Sequence, residues 1–227
     1  MNEMQLGSQS IDPSQLIQKF EKHLGRDVTK VFVTQLAGDA SSRRYFRIAL
    51  INGEKKSFIL QESDSFDAQS FDKHSFLTGQ RNLAAVGLPV PKVLGSFPEK
   101  GWILLEDLGD ETLQNHVTNS LYEQAIDLLI EWTVKLHPKN PELPLDVKKS
   151  PQFSWAFDFE KLNFEMGFTA EHLFKRLLRS SEHQEFLKCT EKNTRYLVDV
   201  PRFYCHRDYH CRNLMFHEGK LFLIDFQ

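Results

Sequence analysis

Short apolar runs bounded by glycine, proline, asparagine or serine recur through the first half of the chain. Runs of this length that are rich in Val, Ile, Phe and Tyr are typical of β-strands. They predict strands over 31–36, 44–50, 57–62 and 102–110, the last of which runs into a turn. Another strand begins within 88–94, whose two prolines exclude a helix because each one biases its predecessor toward extended backbone.

Apolar residues at steps of four predict a helix before the first strand. Leu16, Phe20 and Leu24 follow Asp12, which suits the N-cap position and precedes a proline at the first helical residue. Gly25 is expected to end this helix. The segment is interpreted as a structural element that packs on the outside of the strands.

Helical periodicity returns after the first strands and dominates the second half. Helices are expected over 71–86, 157–178 and 183–198, and a glycine at position 87 should end the first of them. Four prolines within 138–151 predict a loop.

The most regular helical pattern follows Glu111 and is expected to form the central helix of the second half. Ser120 and Glu123 have the spacing of a capping box, in which a hydroxyl and a carboxylate satisfy two free N–H groups at a helix start. One face of this helix is expected to carry Leu121, Ala125, Leu129, Trp132 and Leu136.

The last twenty-two residues carry the strongest chemical motif. His206-Arg-Asp208 is followed five positions later by Asn213, and a second aspartate, Asp225, comes between Ile224 and a phenylalanine. Two short apolar strands joined at Glu218-Gly219 separate Asn213 from Asp225, so a hairpin should bring both residues to the same end of the strand pair.

This spacing is the layout of phosphoryl transfer. The reaction needs a base that faces the acceptor hydroxyl, and it needs oxygen ligands for the magnesium that neutralises the phosphates. We expect Asp208 to act as the base and Asn213 and Asp225 to hold Mg²⁺. The motif has several parts with the expected strand context, which makes it more specific than a single tripeptide.

A zinc site is the alternative interpretation of the same stretch, because Cys205, His206, His210 and Cys211 are all potential ligands. Structural zinc usually draws paired ligands from two separate clusters, and the sequence has no second cluster. Phosphoryl transfer is therefore favoured over metal binding of this kind.

Composition indicates an ordinary globular protein. The 227 residues are 41% hydrophobic and 26% charged with a net charge of -3, which does not favour nucleic acid as a partner. No stretch approaches the length of a membrane span, and the first ten residues lack the basic start and apolar run of a secretory signal. Three cysteines favour reduced thiols. We expect a cytoplasmic protein that does not bind membranes.

Residues 37–43 between the first two strands are small and polar, Ala-Gly-Asp-Ala-Ser-Ser-Arg. Composition alone is compatible with a plain hairpin turn. A strand, a small-residue loop and a strand is also the arrangement by which kinases lay backbone N–H groups over nucleotide phosphates. With the downstream motif present, the nucleotide loop is favoured, and Ser41, Ser42 and Arg43 are then closest to the phosphates.

The segments around Ser41 and from His206 to Gln227 resemble the aminoglycoside phosphotransferase (choline kinase-like) superfamily, above all its bacterial N-acetylmuramate/N-acetylglucosamine anomeric kinase branch. The resemblance implies an α+β protein kinase-like fold with two lobes. An N-terminal lobe over 1–107 would hold an antiparallel sheet and a helix. A mostly helical C-terminal lobe would cover 108–227.

The same resemblance implies ATP as phosphate donor and assigns further cofactor-binding residues. Backbone groups of Glu106, Asp107 and Leu108 would bind the adenine edge as the hinge between the lobes. Gln61 stands in the third strand where kinases normally carry a phosphate-binding lysine. The phosphate-binding cation is therefore left open, with Arg43 and Arg44 as candidates.

The acceptor is expected to be a small molecule with a hydroxyl group, and the resemblance favours an amino sugar. A kinase for an aminoglycoside or a choline-like alcohol is the alternative within the enzyme class, and a nucleotide-binding protein without turnover is the alternative outside it. The resembled proteins continue well beyond their metal-binding aspartate. We therefore expect the C-terminal lobe of this chain to be incomplete, to be weakly active and to expose apolar surface. The protein is expected to be a monomer.

Overall fold

The computed structural model describes residues 31–36, 43–50, 56–67, 74–154 and 158–226. The helix expected around Leu16 lies outside these residues. The described residues form two compact units. One consists of the described residues up to Trp132 together with those from His206 onward, and the other is Thr133–Cys205. The expected boundary between lobes at 107 and 108 stays a prediction.

Five antiparallel strands form the sheet of the first unit, in the order β1-β2-β3-β5-β4. The bounds of the first three strands agree with the predicted apolar runs to within one residue. The strands are β1 Val31–Gln35, β2 Arg44–Leu50, β3 Ser57–Glu62, β4 Val93–Phe97 and β5 Trp102–Glu106.

One face of this sheet carries the core, because alternate residues of a strand point to the same side. In the register of β2 with β3, Phe46 opposes Leu60 and Ile48 opposes Phe58. These four residues are almost completely buried and form one cluster with Trp102 and Leu104 of β5. The two-residue period therefore decides which side chains stabilise the sheet.

The strand expected to begin within 88–94 is confirmed. It begins at Val93, after Pro89 and Pro91, which have no N–H group to donate to a sheet partner. The segment remains extended, as predicted, and the carbonyl of Pro89 accepts a hydrogen bond from the N–H of Leu223.

Helix α1, Ser75–Ala85, begins four residues later than predicted because His74 is its N-cap and accepts the N–H of Leu77 through Nδ1. Its end agrees with the prediction. Gly87 has φ of 71°, and its N–H donates to the carbonyl of Ala84. Glycine adopts this left-handed conformation without the steric cost of a side chain, which is why it ends the helix.

Helix α2, Asn119–Lys135, corrects two details of the sequence interpretation. Ser120 lies inside the helix, and the cap is the hydroxyl of Thr118, which accepts the N–H of Leu121 at 3.2 Å. Leu128, rather than Leu129, belongs to the buried face. The buried residues Leu121, Ala125, Leu128 and Trp132 are separated by steps of four, three and four, which average close to the 3.6-residue period, whereas repeated steps of four exceed it.

The opposite side of α2 exposes an apolar row at four-residue steps. Tyr122, Ile126, Ile130 and Val134 are each about half exposed or more. Such a row is unusual for an amphipathic helix, whose outer face normally carries polar side chains.

The remaining helices lie between Pro144 and Val198. Residues 138–151 are irregular as expected but include one short helix and the start of another, and the last helix begins three residues earlier than predicted. The helices are α3 Leu145–Lys148, α4 Pro151–Ser154, α5 Phe159–His172 and α6 Ser180–Val198. Among the helices that the structure describes, none combines the length and hydrophobicity that a membrane span requires.

The predicted hairpin near the C-terminal end is confirmed. Strands β6 Leu214–His217 and β7 Lys220–Leu223 pair antiparallel. Glu218 and Gly219 form the turn with φ of 47° and 82°, the left-handed pair that matches the twist of a two-residue hairpin. Backbone hydrogen bonds from Leu113 to Leu214 and from Phe216 to Glu111 add residues 111–113 beside β6.

Phe226 leads to a prediction about the packing of α1. Its ring stacks on Phe76 with centroids 5.4 Å apart, and a Cβ added to Gly79 would lie 3.3 Å from the same ring. A Gly79→Leu variant should therefore lose about 1–3 kcal/mol of stability through overpacking, although leucine is the better helix former. Thermal unfolding measures this loss.

Gly167 in the middle of α5 is the matched control, since an added Cβ there meets no atom within 4 Å. Gly167→Leu should keep or raise the thermal midpoint, because only the gain in helix propensity remains. Equal midpoints for the two leucine variants would contradict the proposed contact between Gly79 and Phe226.

Candidate active site

Asn213 connects the end of the segment 206–213, which we call the catalytic loop, to Asp208 within it. Its side-chain Nδ2 donates to the backbone carbonyl of Asp208 at 3.0 Å and to carboxylate Oδ2 of the same residue at 3.1 Å. Asn213 is buried, whereas the side chain of Asp208 is 59% exposed. The loop therefore presents a carboxylate to the outside while a buried amide holds it from behind.

Two aromatic neighbours hold the rest of the loop. His206 is buried, with its ring 5.4 Å from that of Trp132 and 5.7 Å from that of Tyr209. The hydroxyl of Tyr209 donates to the carbonyl of Ala125 on α2. The loop is thus attached to the central helix on one side and to the hairpin on the other.

Burial dominates the protonation of both rings. It lowers the pKa of His206, although the backbone of Ile224 and the charges of Asp225 and Asp208 act in the opposite direction. Burial also raises the pKa of Tyr209 to about 12. Both side chains are therefore neutral near pH 7. His206 serves the loop by packing, and Tyr209 also by its hydrogen bond to Ala125.

The hairpin brings Asp225 to the catalytic loop as predicted. Leu214 opposes Leu223 across the strand pair, and the N–H of Ile224 donates to the carbonyl of Asn213 at 3.1 Å. Asn213 and Asp225 consequently flank the same end of the hairpin. This shared position is what the sequence interpretation requires of two magnesium ligands.

The donor set at this end suits Mg²⁺. Magnesium in phosphoryl-transfer sites takes one or two protein oxygens and completes its octahedron with phosphate oxygens and water. Asp225 offers a carboxylate, and Asn213 keeps its amide oxygen because its Nδ2 is the atom that donates to Asp208. The described residues contain no cluster of three or more His, Cys, Asp or Glu side chains able to hold a metal.

The predicted phosphate loop is described only in part, because Ser41 and Ser42 lie outside the described residues. Burial lowers the pKa of His74, and the positive charge of nearby Arg43 lowers the same pKa further. Arg44 forms an ion pair of 2.6 Å with Glu62. The second candidate cation is therefore already neutralised by a carboxylate on β3.

Gln61 is completely buried within the sheet. Its Oε1 lies 3.5 Å from the hydroxyl of Tyr45, its neighbour across β2 and β3. Its Nε2 has no hydrogen-bond partner among the described residues. The side chain that replaces the usual lysine thus faces the interior, and its expected contact with a nucleotide stays a prediction.

The expected hinge follows β5. The N–H of Glu106 donates to the carbonyl of Lys92, and the carbonyl of Leu108 accepts Nδ1 of His217 at 3.0 Å. Within the described part of the chain, no hydrogen bond engages the N–H of Leu108. Of the predicted adenine contacts, this donor is the one best suited to a ligand.

An arginine that the motifs do not indicate holds the hinge in place. Arg47 of β2 contacts Asp107 through Nε at 2.7 Å and through a terminal nitrogen at 3.1 Å. It also reaches Asp110 at 2.8 Å and the carbonyl of Gly109 at 3.0 Å. We call these contacts the Arg47 clasp. A planar guanidinium is suited to such forked contacts.

The clasp shifts both partners toward their charged forms. Burial alone would raise the pKa of Asp107, but hydrogen bonds from Ser57, Arg47 and the N–H of Gly109 outweigh it and lower the pKa. The hydrogen bond to Asp110 is the main cause that raises the pKa of Arg47. The side chain of Asp107 is therefore occupied, which leaves only its backbone for a ligand.

Sequence reasoning missed the roles of two residues in this site, Arg47 and His210. Arg47 and Asp107 are sixty positions apart, so no spacing rule connects them. His210 was interpreted as a potential zinc ligand, yet its Nε2 lies 3.3 Å from Oδ1 of Asp208. Its position two residues after Asp208, inside the catalytic loop, is the signal that could have indicated this contact.

The sheet, the helices and the catalytic loop together define a protein kinase-like α+β fold, as expected. Similarity to solved structures supports the same fold. Aminoglycoside phosphotransferase APH(2'')-IIa, in a ternary complex with streptomycin and ATP, aligns over 96% of this chain and 71% of its own with a TM-score of 0.58 at 15% identity. ADP-bound APH(2'')-Ib aligns over 92% and 69% with a TM-score of 0.57, also at 15% identity.

The model of the phosphotransferase enzyme family matches residues 33–227. The chain belongs to this family, which confirms the sequence-based assignment.

Two bacterial relatives are named N-acetylmuramate/N-acetylglucosamine kinase. The protein from Pseudomonas aeruginosa is 31% identical over 199 residues, which cover 84% of this chain and 53% of the relative. The protein from Neisseria meningitidis is 28% identical over 200 residues, which cover 86% and 56%. The chain thus spans a little more than half the length of these relatives.

The Arg47 clasp predicts a pH-dependent stability. Because the pKa of Asp107 is lowered in the folded state, its contribution is complete above the unfolded pKa of about 3.9 and is lost as the pH falls through the folded value. Arg47→Met should cost on the order of 3 kcal/mol near neutral pH, since it leaves a mostly buried carboxylate without its partner. Thermal unfolding between pH 3 and 7 should show the difference from wild type shrink at the acidic end.

Lys92 supplies the control, because it pairs with Glu106 at 3.2 Å while its side chain is 74% exposed. Lys92→Met should cost less than about 1 kcal/mol, as exposed pairs do. A loss for Arg47→Met that is as small as this, or that is constant with pH, would show that the clasp does not stabilise the hinge.

Proposed function

We propose that this protein is an ATP-dependent kinase that transfers the γ-phosphoryl group to a hydroxyl of N-acetylmuramate, N-acetylglucosamine or a closely similar amino sugar. The observation that carries the proposal is the position of buried Asn213, whose side-chain amide donates to Asp208 and whose backbone carbonyl accepts the N–H of Ile224, the residue before Asp225. The names of the two relatives support the choice of acceptor.

Asp208 is the group that receives the acceptor's proton. As the acceptor oxygen bonds to the γ-phosphorus, its O–H bond breaks and the proton passes to the Asp208 carboxylate, while the bond from the γ-phosphorus to the ADP oxygen breaks. A carboxylate has about four acceptor positions, so contacts with Asn213 leave room for the substrate hydroxyl. The high exposure of Asp208 supports access by that hydroxyl.

Asn213 and Asp225 would hold magnesium by their side-chain oxygens. Magnesium bound with the nucleotide neutralises the phosphate charge that otherwise repels the acceptor.

Residues 1–107 would form the nucleotide-binding lobe, with the N–H of Leu108 at the adenine edge, and residues 108–227 would form the acceptor lobe. A monomer in the cytoplasm completes the proposal, and the three free cysteines support a reducing setting.

An acceptor panel tests the function. The purified chain is incubated with Mg-ATP and, in separate reactions, N-acetylglucosamine, N-acetylmuramate, an aminoglycoside and choline, and both ADP release and the phosphorylated product are measured. We expect product from the amino sugars. Turnover confined to the aminoglycoside or choline would overturn the acceptor, and nucleotide binding without any product would favour a binding protein instead.

Asp208→Asn tests the base. We expect acceptor-dependent turnover to fall by about 10²- to 10⁴-fold, the usual contribution of a general base, while the dissociation constant for ATP stays within about twofold. Asp199→Asn is the matched control, since Asp199 is an exposed residue at the end of α6. Turnover of Asp208→Asn within tenfold of this control would exclude Asp208 as the base.

Asp225→Asn tests the metal site. Loss of the carboxylate should shift the magnesium dependence of ATP binding to higher concentration, because Mg²⁺ binds a carboxylate far better than a neutral amide. Titration of ATP affinity against magnesium, again beside Asp199→Asn, measures the shift. Identical titration curves for the two variants would remove Asp225 from the metal site.

A further inference from the structure

His210 faces the second oxygen of the Asp208 carboxylate. Its Nε2 lies 3.3 Å from Oδ1, whereas Nδ2 of Asn213 donates to Oδ2 from the other side. The two carboxylate oxygens thus have one nitrogen neighbour each. Rotation of an aspartate carboxylate about its last bond has only a shallow preference, so neighbours on both oxygens are needed to fix its plane.

The backbone decides which nitrogen of His210 carries the proton. The N–H of Arg212 donates to Nδ1 at 3.2 Å, so Nδ1 is an acceptor without hydrogen. In the neutral ring the proton then resides on Nε2. The proton of the neutral imidazole is therefore on the ring nitrogen that lies 3.3 Å from the carboxylate of Asp208.

We propose that His210 is a positioning residue that donates from Nε2 to Asp208 and holds its carboxylate in the plane required for proton transfer. This inference rests on the proposed function. A separation of 3.3 Å is at the long end for such a bond, and contacts of catalytic groups commonly tighten when substrates are bound. A misplacement of about 1 Å in a reacting group can cost about 100-fold in rate.

A purely structural role would require only the Nδ1 contact. His137 has the Nδ1 contact but not the carboxylate contact. Its Nδ1 accepts the N–H of Lys139 at 3.0 Å, and among the described residues no carboxylate contacts its Nε2. Both histidines accept the N–H two positions ahead. The contact with Asp208 is what distinguishes His210 from a histidine that only stabilises a turn.

Two substitutions separate the two contacts of His210. In His210→Asn, the side-chain oxygen can still accept the N–H of Arg212, but the amide is too short to reach Asp208. In His210→Gln, the amide nitrogen takes the place of Nε2 and the turn contact is lost. His137→Asn is the matched control for exchanging histidine for asparagine at a turn.

We expect His210→Asn to lower kcat by about 100-fold with the amino-sugar acceptor, while its thermal midpoint and its KM for ATP stay near wild type. The kcat of His210→Gln should be at least tenfold higher than that of His210→Asn, although its thermal midpoint should be lower. His137→Asn should keep kcat within twofold. Wild-type kcat in His210→Asn, or losses that follow the thermal midpoint in both variants, would overturn the positioning role.

A spectroscopic readout tests the contact independently of the proposed function. Long-range ¹⁵N–¹H spectra of the His210 ring should show a protonated Nε2 and an unprotonated Nδ1 in the wild-type protein. The Nε2 resonance should shift in Asp208→Ala but not in Asp199→Ala. A proton on Nδ1, or no shift in Asp208→Ala, would overturn the inference even if the kinase is active. Correct spectra in a protein that phosphorylates no acceptor would instead reject the proposed function.

Discussion

The whole candidate site depends on the hydrogen bonds of Asn213, those from its side chain to Asp208 and the one that its backbone carbonyl accepts. The side chain holds Asp208, and the backbone carbonyl accepts the N–H of Ile224. One residue therefore fixes the distance between the expected base and the expected metal ligand. Because Asn213 is buried, water does not compete for its amide, which strengthens both hydrogen bonds relative to exposed ones.

The hairpin that carries this residue is itself held by the segment after the hinge. Residues 111–113 add a third extended segment beside β6, and Nδ1 of His217 contacts the carbonyl of Leu108. The Arg47 clasp holds the start of that same segment from the sheet. A continuous set of contacts thus runs from β2 through the hinge to the catalytic hairpin, all within the first compact unit. The position of Asp225 relative to the nucleotide-side residues follows from these local contacts.

Sequence patterns predicted best what is determined by neighbours in the chain. Two short strands around a turn predict both the hairpin and the position of Asn213 beside the end of β7. The motif could therefore be placed in space from the sequence alone. The exposed Leu129 was mispredicted, because the exact helical period decides which side chains of α2 are buried. Arg47 was missed for a stronger reason, since its partners lie sixty residues away and no local pattern marks them.

Two residues of the candidate site have strained backbone conformations. Arg207 and Asp225 have φ of 71° and 55° without being glycine or asparagine, and such left-handed residues cost about 1–3 kcal/mol each. Arg207 directly precedes Asp208, and Asp225 is the expected metal ligand. The strain persists because the hydrogen bonds of Asn213 and the stacking of Phe226 on Phe76 hold the chain on both sides. Both strained residues thus lie at or directly beside the two aspartates to which the proposed function assigns roles.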